Sequence, residues 1–187
     1  IESFRDFLLK APRGGNKSGT ISQNTASTYF TLFKAALHQA FIDSYFDVDI
    51  AAKVKGISGA ESRREYLTIE ELNKLAATPC EYPMLKKAAF FSALTGLRHS
   101  DIRKMTWKEL SVEGDHYRIN FTQRKTGGVE YMPISEQAYL ICGEPAEPDR
   151  LVFEGLQDPS WINRPVKKWI EAAGIKKHIT FHCFRHS

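Results

Sequence analysis

A break in hydrophobic periodicity near residue 60 most constrains what this chain can fold into. Residues 55–66 (KGISGAESRREY) carry two glycines, two serines and five charged side chains, without helical or strand spacing. Such a segment is typical of a linker. Directly after it, Thr68 and Glu71 fit the reciprocal hydrogen bonds of a capping box, which predicts the start of a helix. The sequence therefore predicts two domains, 1–57 and 67–187, joined by a linker at 58–66.

Helical spacing of apolar residues dominates both predicted domains. In the first domain, the apolar face between residues 29 and 40 favours a helix capped by Asn24 or Thr25 and ended near residues 47–49. In the second domain, residues 84–94 are apolar at helical spacing. We therefore expect a fold that is mainly α-helical.

A small β-structure is expected inside the second domain. Residues 117–122 and 129–132 alternate between apolar and polar side chains on either side of Gly127-Gly128, which predicts a β-hairpin. Ser100 is a candidate cap for a short helix before this hairpin. After it, Pro165 is expected in the first turn of a helix that starts near Asn163, because proline disrupts a helix interior.

Composition narrows the class of protein without identifying a partner. The chain has 26 Lys and Arg against 22 Asp and Glu, and its net charge of +4 permits a nucleic-acid partner without requiring one. Three cysteines without a CxxC pair argue against a disulfide framework or a zinc ribbon, and they favour a cytoplasmic setting. No apolar stretch reaches the ~20 residues of a membrane span, so we expect no membrane partner.

The first candidate site is an arginine between two predicted helices, in the segment Thr95-Gly96-Leu97-Arg98-His99-Ser100-Asp101-Ile102. The backbone amides of such a turn and the guanidinium of Arg98 can converge on an anion. Alternatively, Arg98 forms an ion pair with Asp101 in an ordinary helix connection. This segment alone leaves both interpretations open.

The second candidate site is the basic tip of the predicted hairpin, in the segment Gln123-Arg124-Lys125-Thr126-Gly127-Gly128. Lys125 at this tip can reach a phosphate or sugar oxygen. The alternative is a solvated basic turn without a binding role.

The third candidate site is the segment His182-Cys183-Phe184-Arg185-His186. On a helical turn His182 and Arg185 share a face, so they can address one anionic group. The segment also contains metal-binding residue types, but His182 and Cys183 are adjacent and point apart on a helix. No second ligand group has matching spacing, so we expect no metal site.

Taken together, these segments resemble the tyrosine recombinase (phage integrase) family in order and spacing. The matching motifs are Thr95 to Arg98 followed by Ser100 to Ile102, Lys125 to Gly127, and His182 to Ser187. The first 65 residues also resemble the core-binding domain of the family. The resemblance implies a SAM-like helical core-binding domain, truncated at its N-terminus, followed by a tyrosine-recombinase catalytic domain truncated at its C-terminus.

The resemblance also implies a chemistry. In this family a tyrosine hydroxyl cuts a DNA strand, which gives a 3′-phosphotyrosine and a free 5′-hydroxyl without a metal or other cofactor. Arg98 and Arg185 match the positions that fork onto the non-bridging phosphate oxygens. His182 would donate a hydrogen bond to the same phosphate or move the proton of the nucleophile, and Lys125 would protonate the leaving 5′-oxygen.

The nucleophile is where the sequence departs from the family pattern. The family places its tyrosine a few tens of residues beyond the His-x-x-Arg motif, whereas all seven tyrosines here precede that motif. The chain also begins at Ile1 rather than at a methionine. We therefore expect a fragment of a longer recombinase that does not cleave DNA by itself.

Double-stranded DNA is the expected partner, with the full-length parent acting as a homotetramer on DNA and without a small-molecule substrate. The candidate DNA contacts are basic residues near the linker and the hairpin tip: Lys53, Lys55, Arg63, Arg64 and Arg124. Two other hypotheses stay open. The chain is a non-catalytic DNA-binding module that competes with an active integrase, or it is a helical scaffold, which DNA binding independent of salt would indicate.

Overall fold

The computed structural model describes residues 1–15, 18–61, 65–122 and 129–187. Contacts divide the chain into two compact units, residues 1–63 and 64–187. Both are built mainly from α-helices, and a small antiparallel sheet lies in the second, which confirms the predicted fold class. In the part of the chain that the structure describes, every helix is too short or too polar to cross a membrane.

The first unit is a helical hairpin closed by an extended segment. Its helices are α1 (Glu2–Leu8) and α2 (Gln23–Ile42), which meet in a small core around Leu8, Ala26 and Phe30. The extended segment then returns along α2: the Ser27 hydroxyl donates to the Ile57 carbonyl over 2.7 Å. The start of α2 was predicted two or three residues too late, since Ser22 is its N-cap and accepts from the amide of Thr25.

The C-terminal end of α2 also differs from the prediction. The helix ends at Ile42, before the acidic residues 47–49 that were expected to end it. Ser44 adopts a φ of +63°, in the left-handed region that stops a helix. The turn at Ser44 therefore ends the helix earlier than the apolar pattern indicates.

The second unit carries six helices and three strands within its described residues. They run, with a short 3₁₀ turn at Trp107–Glu109, in the order α3 (Ile69–Ala77), α4 (Pro83–Thr95), α5 (His99–Lys104), β1 (Leu110–Glu113), β2 (His116–Thr122), β3 (Val129–Ile134), α6 (Glu136–Cys142), α7 (Pro159–Ala172) and α8 (Phe181–Phe184).

A capping box starts this unit, as predicted from the sequence. The Thr68 hydroxyl accepts from the Glu71 amide at 3.3 Å, and the Glu71 carboxylate accepts from the Thr68 amide at 2.8 Å. Leu67 before the box is buried and Leu72 packs beside it in the main core. The local hydrogen bonds and the apolar contact therefore both fix where α3 begins.

The sheet is antiparallel with β2 in the centre. Ile119 of β2 is opposite Leu110 of β1 and Met132 of β3, and its side chain is fully buried. The predicted hairpin is thus confirmed in β2 and β3. Strand β1 escaped prediction because four residues are too few to establish an alternating pattern.

Two helix starts differ from the sequence predictions. Helix α5 begins at His99 with Arg98 as its N-cap, so Ser100 lies inside the helix and is not its cap. Helix α7 begins at Pro159, where the Asp158 carboxylate caps the amide of Ser160, and it keeps Pro165 in its interior. Pro165 removes a bond to the carbonyl of Trp161, a residue that is 72% exposed and therefore lies on the solvent side of α7.

Candidate functional site

Three of the four residues that the sequence singled out for chemistry lie around one cavity of the second unit. Arg98, His182 and Arg185 all line a cavity of about 190 Å³ between the start of α5, the start of α7 and the short helix α8. Arg98 and Arg185 are half-buried and His182 is exposed. Two segments 84 residues apart thus place two guanidinium groups and an imidazole around a common space.

The turn between α4 and α5 positions Arg98. Gly96 follows α4 with a φ of +68°, a left-handed conformation that other residues adopt only under strain. The buried hydroxyl of Ser92 donates to the Leu97 carbonyl over 2.8 Å, and the Thr95 hydroxyl accepts from the Leu97 amide. These bonds lock the backbone directly before Arg98.

Helix α8 positions His182 and Arg185. The Phe181 amide at its start donates to the Asn163 side-chain oxygen over 3.1 Å, which ties α8 to α7. Phe184 is fully buried and stacks on Trp169 of α7, with ring centroids 6.0 Å apart. Since His182 and Arg185 are three apart on this anchored turn, both reach the cavity, in agreement with the predicted shared face.

A serine hydroxyl connects the turn that carries Arg185 to the start of the second unit. Ser187 Oγ accepts from the Leu67 amide at 2.9 Å and donates to the Cys183 carbonyl at 3.0 Å. This hydroxyl therefore joins the backbone at Leu67 to the backbone of α8, although Leu67 and Ser187 are 120 residues apart. It fixes the last turn of α8 relative to the segment that precedes α3.

His99 is a cavity residue whose role the sequence did not reveal. Its ring packs edge-on against Phe181, with centroids 4.9 Å apart and ring planes at 84°. Both ring nitrogens are buried and neither makes a hydrogen bond of good geometry. Burial lowers the pKa of His99, which the nearby backbone of Gln157 offsets only in part, so the ring is uncharged at neutral pH.

The His99–Phe181 contact joins the two segments that carry Arg98 and His182. His99 follows Arg98, and Phe181 precedes His182, so this ring pair sets how far apart the two segments lie. The only sequence signal was the position of His99 beside Arg98. Asn163 was likewise overlooked as a contact, because its partner lies 18 residues further along the chain.

His182 also contacts a second imidazole. Its Nε2 lies 3.2 Å from Nε2 of His186, one turn further on, and the two rings are 4.9 Å apart with their planes at 83°. Both side chains are exposed. Cys183, between them in sequence, instead accepts from the Thr180 amide through its sulfur at 3.4 Å.

The acidic residues near the cavity are engaged in ion pairs or buried. Asp101 is 3% exposed, and its carboxylate lies 3.9 Å from Lys104 Nζ. Asp158, the cap of α7, is 3.0 Å from Arg103, and hydrogen bonds from Ser160 hold the pKa of Asp158 below its usual value. Asp158 is therefore ionised at neutral pH, whereas the part of the cavity lining that the structure describes contains two arginines and no acidic residue.

Comparison with known proteins decides the family of the chain. The family model described as phage integrase family matches residues 65–187, about two thirds of the chain. The model described as phage integrase SAM-like domain matches residues 1–55. This chain belongs to the phage integrase family. The membership confirms the resemblance to tyrosine recombinases that the sequence motifs indicated.

Solved structures share the fold of this phage integrase family member at low sequence identity. The Tn1549 transposon integrase in complex with circular intermediate DNA has a TM-score of 0.67 and 18% identity, over 89% of this chain and 65% of that chain. A lambda integrase dimer bound to a COC′ core site has a TM-score of 0.66 and 19% identity, over 87% and 62%. A lambda integrase tetramer bound to a Holliday junction has a TM-score of 0.61 and 19% identity, over 86% and 52%.

The phage integrase family chain thus spans about half to two thirds of the length of these solved chains. None of the curated proteins compared with it gave a match.

The remaining predicted site residues of this integrase family member lie outside the described ranges or in the first unit. Lys125, Arg124, Arg63 and Arg64 lie outside the described residues. Lys53 and Lys55 lie in the first unit, exposed, in the segment after α2.

Proposed function

We propose that this chain carries the phosphate-binding residues of a site-specific DNA recombinase, which cuts and rejoins strands through a 3′-phosphotyrosine intermediate. The observation that supports this most directly is the cavity that Arg98, His182 and Arg185 share. Family membership supports the same reaction class. A role in the integration of phage or other mobile DNA is part of the proposal.

The proposed chemistry follows from the donors around the cavity. A phosphodiester under attack gathers negative charge on its non-bridging oxygens, and a guanidinium can donate two parallel hydrogen bonds to them. Arg98 and Arg185 are half-buried, so their charges are screened less than those of exposed cations. His182 adds a third donor, and loss of one preorganised donor of this kind typically costs about 10²–10³ in rate. Lys125 remains the proposed acid for the leaving 5′-oxygen.

The described lining of the cavity contains no tyrosine. Tyr82 lines a different cavity, Tyr117 packs against Tyr139 at 4.8 Å, and the Tyr66 ring faces the ammonium group of Lys177. We therefore propose that these 187 residues bind DNA without cleaving it. We thus propose that the chain on its own is a non-catalytic DNA-binding module. In the full-length recombinase, the same residues contribute to the strand-exchange reaction.

Double-stranded DNA is the proposed partner, and a homotetramer on DNA is the proposed active assembly of the full-length recombinase. The lambda integrase tetramer on a Holliday junction supports this assembly by analogy of fold. Lys53, Lys55, Arg63, Arg64 and Arg124 stay the proposed backbone contacts. Because cellular DNA is the substrate of this reaction, the proposed location is the cytoplasm.

The test is the salt dependence of binding to a labelled DNA duplex. Because both arginines address one phosphate, we expect Arg98→Gln or Arg185→Gln alone to change the slope of log K against log salt little, since the remaining guanidinium still neutralises that phosphate. The double variant should reduce the slope by about 0.9, the value for one phosphate contact. Arg150→Gln is the matched control, since Arg150 is exposed and paired with Glu154 away from the cavity.

Three results would contradict the proposal. Binding that does not depend on salt would indicate a scaffold without phosphate contacts. A slope that falls by about 0.9 in each single variant and by twice that amount in the double variant would mean that the arginines bind separate phosphates. A covalent protein–DNA adduct on a nicked suicide substrate would refute the statement that these 187 residues do not cleave DNA.

A further inference from the structure

The two neighbouring histidines of α8 and its last turn have the geometry of a metal chelate. His182 and His186 are four residues apart on a helical turn, and in zinc metalloproteases two histidines at this spacing share one face of a helix and bind the metal. Their Nε2 atoms are 3.2 Å apart and both side chains are exposed. An ion can therefore reach the space between them from solvent.

The distances between the two rings are compatible with a chelate. Two Zn–N bonds of about 2.05 Å ending on nitrogens 3.2 Å apart enclose an angle of about 103°, near the tetrahedral value. Ring centroids about 1.15 Å behind those nitrogens would then be about 5.0 Å apart, and the observed separation is 4.9 Å. The two nitrogens are therefore close enough to share one ion without a change in the separation of the rings.

We propose that His182 and His186 form a binding site for a divalent transition metal ion such as Zn²⁺ or Ni²⁺. Imidazole is a ligand that suits these ions, whereas Mg²⁺ prefers oxygen ligands. In the described ranges of the chain, no group of three or more His, Cys, Asp or Glu side chains is placed to hold a metal. The site is thus a two-imidazole chelate, and water or an external anion fills the other positions.

The sequence analysis expected no metal site in this segment, because His182 and Cys183 point apart on a helix and no second ligand group has matching spacing. The proposal departs from that expectation. Cys183 is not a ligand in it, since the sulfur caps the start of α8, and the two imidazoles alone form an open site. Its consequence lies at the cavity, because His182 lines that cavity.

Metal binding would take His182 away from phosphate. A nitrogen that coordinates a metal ion uses its lone pair and carries no proton, so it cannot donate a hydrogen bond from that atom. Under the proposed function, an occupied site therefore removes Nε2 of His182 as a donor to the phosphate, while Nδ1 keeps its proton. The metal site itself does not depend on that function, so the two can fail separately.

Isothermal titration of the 187-residue chain with Zn²⁺ and Ni²⁺ tests the proposal, with Mg²⁺ as the control ion. We expect saturable binding of one ion at pH 7.5, at least tenfold weaker in His186→Asn and in His182→Asn. The matched control is His116→Asn, at an exposed position at the start of β2, which should bind within twofold of the unchanged chain. Binding should weaken at pH 5.5, because both imidazoles must be neutral to coordinate.

A second measurement guards against variants that fail to fold. In NMR spectra of the unchanged chain, the ring signals of His182 and His186 should shift or broaden together on Ni²⁺ addition, ahead of the other histidines. Equal affinity in His186→Asn, equal loss in His116→Asn, or ring signals of the two histidines that respond independently would each overturn the proposal.

Discussion

His99 makes the stability of the second unit depend on pH in a direction that follows from its surroundings. Burial lowers its pKa in the folded state, whereas in the unfolded chain the ring titrates near 6.5. The unfolded chain therefore binds more protons below about pH 6.5, so the free energy of unfolding rises with pH there. On acidification, this contribution starts to be lost at the unfolded pKa.

On balance, the charges around His99 also lower its pKa. Arg103 on its own helix lowers its pKa further, and Asp158 at the start of α7 raises it. Arg98, Arg185 and His182 line the same cavity. A protonated ring would thus share this cavity with the two guanidinium groups, with its nitrogens out of reach of water, and Phe181 offers it only an edge contact.

The magnitude is bounded by a single proton. One proton gives at most about 1.36 kcal/mol per pH unit, reached only between the folded and unfolded pKa values. With a urea m-value of roughly 1–3 kcal/mol/M, a loss of about 1 kcal/mol moves the unfolding midpoint by about 0.3–1 M. A shift of that size is measurable by tryptophan fluorescence, since Trp107, Trp161 and Trp169 all lie in this unit.

His99→Phe is the matched variant for this experiment, because it keeps an aromatic ring against Phe181 and cannot be protonated. Both chains are unfolded with urea between pH 5.5 and 8. As the pH falls, the free energy of unfolding of the variant should increase relative to that of the unchanged chain. The other histidines are present in both chains and cancel in the comparison. Parallel pH profiles, or an unchanged chain that gains stability relative to the variant on acidification, would refute the reasoning.

Three further substitutions test the contacts that hold the site. Asn163→Ala removes the acceptor for the Phe181 amide. We expect the free energy of unfolding in urea to fall by about 1 kcal/mol and the amides of α8 to exchange faster. Unchanged exchange there would show that α8 is held by packing alone. Thr68→Ala opens the capping box of α3 and should cost about 1 kcal/mol, which Thr68→Ser should largely restore. A hydrogen bond from the ammonium of Lys177 lowers the pKa of Glu71, so stability that is present above pH 4.5 is lost as the pH falls through the folded pKa. Glu71→Gln should remove this loss of stability at acidic pH. An identical decrease in the free energy of unfolding at acidic pH in both chains would contradict the prediction.

Local rules predicted the parts of this chain whose hydrogen bonds lie close together in sequence. The capping box at Thr68 and Glu71 and the β2–β3 hairpin depend on residues only a few positions apart. The same rules misplaced α7, because Pro165 is disfavoured locally but tolerated where the carbonyl it leaves unpaired belongs to a residue on the solvent side of the helix. Asp158 before Pro159 was the stronger start signal, since it caps an amide and proline needs none.

The sequence predicted which residues form the site, but not the contacts that hold those residues in place. Arg98, His182 and Arg185 belong to motifs that share an order, and the structure brings them to one cavity. The contact of His99 with Phe181 spans 82 positions and depends on how α5 packs on α8, which no local pattern records. The 3.2 Å approach of His182 and His186 follows from helical spacing, but its angle depends on the rotamers of both rings.

The hydrogen bond between Leu67 and Ser187 mechanically connects the start of the second unit to the turn that carries Arg185. Residue 67 is where the chain enters this unit, and its amide is fastened to the same turn that holds Arg185. A displacement of residues 65–67 is therefore passed to the turn that carries Arg185 through this bond, and to residues 177 and 178 through the bonds of Tyr66 and Glu65. Tension along the chain before Leu67 is therefore coupled to the position of the Arg185 guanidinium.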